Sequence, residues 1–218
     1  VQIKIQGEYA CFTRPEMKGE RVSYEVPTPS AIRGILEAVH WKPAITWHID
    51  AIHVMRPVRF ESIRRNEVAN KVPGVESYMK SGKPLYLLVE DRRVQRGALV
   101  LRDVEYYVEA HFSLTGKAGP DDNEGKHLDI FNRRLKKGQV YHQPCLGCRE
   151  FPAFIEAVSG GIPPSALAEK AEGNRNLGWM LYDLDFSEAA NTTPMFFQAN
   201  MERGIVRIPP LTSPEVKR

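Results

Sequence analysis

The sequence predicts an α+β fold: a ferredoxin-like (RRM-like) βαββαβ domain with a basic insertion, followed by a small C-terminal antiparallel β-sheet. Three observations predict it. Apolar residues switch between alternation and helical spacing across residues 1–158, in the order strand, helix, strand, strand, helix, strand. A stretch rich in Lys and Arg, with no sustained period, separates the two middle strands. Residues 159–218 begin rich in Gly and Pro and then hold three strand-like runs. The chain therefore divides into a main domain, 1–158, and a small β-sheet domain, 159–218.

The first strand is "VQIKIQGEYACF", where Val1, Ile3 and Ile5 alternate with polar residues before the run becomes apolar throughout. In "TPSAIRGILEAVHWKP", Thr28 is a cap, Pro29 suits the first helical position, and Ile32, Ile35, Leu36 and Val39 repeat at helical spacing until Pro43 limits the helix. Residues 49–60 alternate around Ile52, Val54 and Val58, with Pro57 implying an edge or a bulge. Residues 61–84 read as an irregular basic excursion. It leads to "LYLLVE" and the long, regular "GALVLRDVEYYVEAHFSL". A second helix is predicted over about 123–137, capped by Asp122 or Asn123 and closed by Gly138. "REFPAFIEAV" reads as a strand, as do "LGWMLYDLDF", "TPMFFQAN" and "GIVRIP".

Length and composition narrow the classes open to such a fold. The chain has 218 residues, 42% hydrophobic and 26% charged, ordinary for a globular protein. Its apolar runs fall well short of the roughly 20 residues that cross a bilayer, and the first residues show no charged-then-apolar leader, so the expected setting is cytoplasmic with no membrane partner. Cys11, Cys145 and Cys148 are an odd set, read as thiols. The net charge of +3 is small, but it is concentrated. Residues 56–102 hold eleven Lys and Arg against five Asp and Glu, and residues 126–137 hold five against one.

The stretch "EGKHLDIFNRRLKK" carries the chemistry. On a helical wheel Leu128, Phe131 and Leu135 form the expected core stripe, Lys126, Arg133 and Lys137 lie opposite, and His127 shares a flank with Arg134. A basic helix face beside free N-terminal N–H groups suits phosphate. A neutral imidazole can take a proton from a ribose 2′-hydroxyl or give one to a leaving 5′-oxygen, while an adjacent lysine stabilises the phosphorane, without a metal or cofactor. A second histidine, His40, ends the first helix beside Trp41 and Lys42, and two helices packed on one sheet face can bring their ends together. His142, Cys145 and Cys148 in "HQPCLGC" have zinc-like spacing, but a single Cys-x-x-Cys is better read as a turn at Gly147 flanked by small thiols, so no metal site is assigned. Arg64, Arg65 and Asn66, with Arg92, Arg93 and Arg96, form basic clusters suited to RNA phosphates; Tyr78 and Tyr86 between them read as packing residues.

Together, "GEYACFTRPEMKGERVSYEVPTPSAIRGILEAVHWKP", "SIRRNEV", "NEGKHLDIFNRRLKKGQ" and "PCLGCREF" resemble the CRISPR-associated Cas-five family in its d variant, type I-C (Dvulg), within the repeat-associated RNA-binding (RAMP) superfamily. The resemblance runs from about residue 3 to 155 and continues more weakly through "GWMLYDLDF". It implies a ferredoxin-like RNA-binding and catalytic domain. It also implies a metal-independent endoribonuclease that cuts precursor crRNA at the 3′ base of the repeat hairpin, leaves a 2′,3′-cyclic phosphate, and remains with crRNA and other subunits in the interference complex. The family's Lys-His pair falls on Lys126 and His127, and its third catalytic position, often tyrosine, falls on His40. An imidazole titrates near 6.5 against about 10 for a phenol, so the expectation is His40 as base on the 2′-hydroxyl, Lys126 as phosphorane stabiliser and His127 as acid or second base. Lys42, Arg64, Arg65, Arg133, Arg134 and Lys137 are the expected RNA-binding residues. Two other readings fit the same residues: a non-catalytic subunit holding the crRNA 5′ handle, and a general nucleic-acid module that also binds DNA.

Overall fold

Nine strands and three α-helices make up the computed structural model, which describes residues 1–17, 19–69, 75–82, 88–186 and 192–218. In chain order they are β1 (Gln2–Ala10), β2 (Arg21–Val22), α1 (Pro29–Val39), β3 (Ile45–Val54), β4 (Phe60–Val68), α2 (Val75–Ser81), β5 (Arg93–Leu114), α3 (Glu124–Lys136), β6 (Phe154–Ala157), β7 (Arg175–Asp185), β8 (Thr193–Glu202) and β9 (Ile205–Arg207). This is an α+β architecture on a mostly antiparallel sheet, ordered β6-β1-β5-β3-β9-β8-β7, with β2 and β4 paired to β5 off that path. Among the described residues only the β2–β5 pair is parallel.

The core lies between the sheet and the two longer helices. Ile3 and Ile5 of β1, Ile49 and Ile52 of β3, Val108 and Ala110 of β5, the α1 stripe Ile32, Ile35, Leu36 and Val39, and Phe131 of α3 all belong to one buried cluster. Alternation along the strands and helical spacing along α1 produce it, each aiming apolar side chains at the same interior. Phe131 packs on Trp47 with ring centroids 4.9 Å apart. Truncating such a buried aromatic costs about 3–5 kcal/mol.

Three expectations need correction. The strand expected over 49–60 runs Ile45–Val54 and stops before Pro57, which joins strands instead of bending one. The supposedly irregular stretch begins as a regular strand, β4, because its partner is supplied by distant residues: Phe60–Val68 pairs in register with Arg93–Leu101 of β5. β5 carries Asp103 at a φ of 52°, in the left-handed region that Asp tolerates, yet stays paired with β1 as far as Leu101 opposite Ala10, and its earlier residues extend with β4 as a basic arm. Finally, the C-terminal strands do not make a separate sheet. β9 pairs with both β3 and β8, so hydrogen bonding continues from the N-terminal strands to β7. Residues 85–87 of the expected strand "LYLLVE", Tyr86 among them, lie outside the described residues, as does the side chain of Tyr78, and residues 88–90 form no strand but lead into a short 3-10 turn. Among the described residues, no helix is long and apolar enough to cross a membrane.

Candidate active site

α1 begins as its residues dictate: Thr28 Oγ1 accepts from Ala31 N–H at 3.2 Å, and Pro29 takes the first helical position, where its missing N–H costs nothing. Its C-terminal end builds the site. A helix end leaves carbonyls without partners, and here three are claimed from outside the helix or just beyond it. Ala38 O accepts from Tyr141 N at 2.8 Å, Val39 O from Arg134 at 3.1 Å, and His40 O from the Trp47 indole at 2.9 Å. These bonds dock α3 and the segment after it onto the end of α1, with a guanidinium at the negative end of the helix dipole.

α3 is set by similar local rules. Asn123 caps it by accepting from Lys126 N–H at 2.9 Å. Gly138, at φ 63°, ends it: Gln139 N donates to Arg134 O and Gly138 N to Leu135 O, the paired bonds of a Schellman turn. The buried face is not the one the apolar residues alone suggest. His127 and Phe131 are buried, Leu135 packs against the core, and Leu128 is 39% exposed. A histidine has replaced a leucine in the inward stripe because His40 supplies it with a polar partner across the interface.

His40 Nε2 and His127 Nδ1 are 3.0 Å apart, and the two rings stack with centroids 5.3 Å apart. Each residue is only 1% exposed. On the far side of His40, Arg134 Nη1 lies 3.5 Å from Nδ1. Burial, then the neighbouring Arg134, His127 and Lys42, push the His40 imidazolium down to about 4, so His40 is neutral at physiological pH. On the far side of His127, Nε2 is buried and makes no hydrogen bond among the described residues, although Asp122 Oδ1 stands 3.3 Å away at a poor angle. Asp122 is itself held by the Lys126 ammonium at 2.9 Å and by Gly119 N–H at 3.0 Å, which lower its carboxyl to about 2. Lys126 is the surface member, with 43% of its side chain exposed.

The structure thus brings together the three expected catalytic positions, Lys126, His127 and His40. It separates the expected RNA contacts into groups. Arg133 and Lys137 are exposed on α3, and Lys42 is exposed two residues beyond His40. Arg134 is half-buried and bonded into the site, so it does not stand free to hold phosphate. Arg64 and Arg65, one residue apart on β4, point to opposite faces. Arg64 is exposed, whereas Arg65 bonds Glu67 at 2.6 Å and also Glu150, beside Cys148. Asp122 was visible in the sequence only as a candidate cap; its spacing four residues before Lys126 was the available signal for a charge partner. In "PCLGC", Cys148 Sγ accepts from Arg21 at 3.1 Å and lies near Cys11, tying the turn to the end of β1. Among the described residues there is no group of three or more His, Cys, Asp or Glu side chains able to hold a metal ion.

Comparison with known proteins adds three kinds of likeness. The Cas5d model of the CRISPR-associated protein family Cas_Cas5 matches residues 1–209. A protein of Mannheimia succiniciproducens named CRISPR pre-crRNA endoribonuclease Cas5d is 52% identical over 223 residues, spanning 100% of this chain and 98% of that protein. One of the same name from Thermus thermophilus is 42% identical over 226 residues, spanning 96% and 91%. Two crystal structures share the fold: one titled a CRISPR-associated protein, with a TM-score of 0.72 and 22% identity over 100% of this chain and 95% of that one, and a functionally uncharacterized protein from Streptococcus mutans, with a TM-score of 0.70 and 24% identity over 100% and 96%.

Proposed function

This chain belongs to the Cas5d family of CRISPR-associated proteins, and from that membership we propose that it is a metal-independent endoribonuclease. It binds the hairpin of CRISPR repeat transcripts, cuts precursor crRNA at the 3′ base of the stem, leaves a 2′,3′-cyclic phosphate, and stays as a subunit of the type I-C interference complex. The relatives named pre-crRNA endoribonucleases support the substrate class. The observation that carries the chemistry is the meeting of Lys126, His127 and His40 at one helix–helix junction. Lys126 and the N-terminal end of α3 supply positive charge for a phosphorane, and the histidine pair supplies proton transfer beside it. Precursor transcripts and three free thiols suit a cytoplasmic setting.

His127, not His40, is the group that meets RNA in this reading. His40 is closed in by Arg134 and His127, so it acts through its neighbour. A phosphate that reaches His127 Nε2 takes the place beside Lys126 that the Asp122 carboxylate holds in the free protein. Lys42 near His40, Arg133 and Lys137 further along α3, and Arg64 on the β4–β5 arm are exposed cations available to the rest of the RNA backbone. The four strands β6-β1-β5-β3 with α1 and α3 read as a ferredoxin-like core, supported by their order and antiparallel pairing. The division into an RNA-binding and catalytic part, 1–158, and a C-terminal part, 159–218, belongs to the same proposal, supported by the site residues all lying in the first part.

A second reading, a silent holder of the crRNA 5′ handle, is favoured by the burial of both imidazoles. Cleavage of a labelled repeat hairpin in excess EDTA separates the two. The wild-type protein is expected to cut, and His127→Ala to bind equally while cutting about 10²–10⁴-fold more slowly. Binding without cleavage by both proteins would establish the silent holder.

A further inference from the structure

The two histidines sit in a chain of polar groups that ends in opposite charges. At one end the Arg134 guanidinium, which only donates hydrogen bonds, faces His40 Nδ1 at 3.5 Å while anchored on Val39 O. At the other end the Asp122 carboxylate, which only accepts while ionised, faces His127 Nε2 at 3.3 Å. Between them, His40 Nε2 and His127 Nδ1 share one proton across 3.0 Å. Two arrangements of that proton exist for neutral rings, and the ends are not indifferent to them.

With the lone pair of His40 Nδ1 toward Arg134, the His40 proton sits on Nε2 and is donated to His127 Nδ1. The His127 proton then sits on Nε2, 3.3 Å from the Asp122 carboxylate, near enough for its charge to favour that placement. The inverted arrangement turns a His40 N–H against a guanidinium N–H and a bare His127 nitrogen against a carboxylate. Both contacts are repulsive, and little water reaches either ring to relieve them. We propose that Arg134 and Asp122 are positioning residues that lock His40 and His127 in a single tautomeric relay, so that His127 presents an N–H, not a lone pair, to the phosphate. The catalytic meaning of the relay rests on the nuclease reading; its existence does not.

The consequence is a specific division of labour. A locked His127 donates to a phosphate oxygen alongside the Lys126 ammonium when RNA displaces Asp122. It takes the 2′-hydroxyl proton only if both ring protons invert, against Arg134. Arg134 therefore acts at the site without touching RNA, which also accounts for its half-buried place on a helix whose neighbouring Arg133 is exposed.

The test is a long-range proton–nitrogen correlation spectrum of 15N-histidine-labelled protein near pH 7.5, with His40→Gln and His127→Gln for assignment. Both rings are expected to show a bare Nδ1 and a protonated Nε2. In Arg134→Met the Nδ1-protonated share of His127 should rise about tenfold, the preference that one charge-assisted hydrogen bond commands. Arg134→Lys, which keeps the charge, should restore the lock in part. Nδ1 protonation of His127 in the wild-type protein overturns the proposal without any variant, and so does a ring spectrum of folded Arg134→Met identical to the wild type. The hairpin assay is read separately: a locked relay in a protein that never cuts RNA refutes the nuclease and leaves the relay standing, and cutting by a protein with the opposite tautomer does the reverse.

Discussion

Acid should destabilise this protein through His40, and by a calculable amount. The folded chain holds the His40 imidazolium down at about 4, chiefly through burial and then through Arg134, His127 and Lys42, whereas an unfolded chain takes up that proton near 6.5. Between those two values the unfolded state binds a proton that the folded state refuses, so stability present above pH 6.5 is lost as pH falls toward 4. Each tenfold difference in proton affinity corresponds to about 1.36 kcal/mol, which makes the His40 contribution roughly 3 kcal/mol across that window. The assay is urea denaturation of the wild type and His40→Gln at intervals from pH 7.5 to 4. Gln lowers stability at pH 7 by lost packing, but its curve should fall about 3 kcal/mol less on acidification, because the titrating group is gone while the other histidines remain. In thermal terms the gap closes by about 6–12 °C for a chain of this size. Parallel curves for the two proteins would refute the claim that a buried, neutral His40 faces cations in the folded state.

The basic arm, the thiol pair and the turn that joins them yield further tests. Arg64→Ala should weaken RNA binding at every sequence and reduce its salt slope by about 1. Arg65→Ala should instead leave Glu67 to its longer pairs with Arg21 and Arg96 and release the half-exposed Glu150, lowering stability by only about 0.2–1 kcal/mol, measured by denaturation; an unchanged Arg64→Ala slope would remove that residue from the interface. Hydrogen bonding from the Cys11 thiol and then Arg21 holds the Cys148 thiol below its ordinary range, so thiolate absorbance should be present at pH 7.5 and diminish in Arg21→Gln or Cys11→Ala. No thiolate at that pH contradicts the cluster. A Cβ at Gly147 would lie 2.1 Å from Cys11 O at a φ of 84°, so Gly147→Ala should cost about 2–5 kcal/mol; a melting temperature within about 2 °C of wild type would show that the turn can yield.

Much of this was legible in the chain. Thr28 with Pro29, and Asn123 with Gly138, are local signals whose hydrogen bonds close within a few residues, so both helices start and stop within a residue or two of the positions their sequence predicts. β4 was not legible because its alternation is polar and its partner lies some thirty residues away. The face of α3 was misread for a related reason. An apolar residue inward is the ordinary choice, and only a polar partner reached through the fold makes a histidine the better one there.

The sequence by itself determined which groups are available: an imidazole and an ammonium side by side at a helix start, a second imidazole at another helix end, and cations concentrated along two stretches. Their types and their places along single helices follow from 3.6-residue periodicity and capping, which act over a turn or two. The tertiary structure alone decided which nitrogen faces which. His40 and His127 are 87 residues apart in the chain and 3.0 Å apart in space, held there by α1 carbonyls that had no partner of their own and found one on α3 and the chain after it. Proton placement in such a pair depends on the charges at its two ends: Asp122 reaches His127 locally, from just before α3, whereas Arg134 meets His40 only because the helices pack.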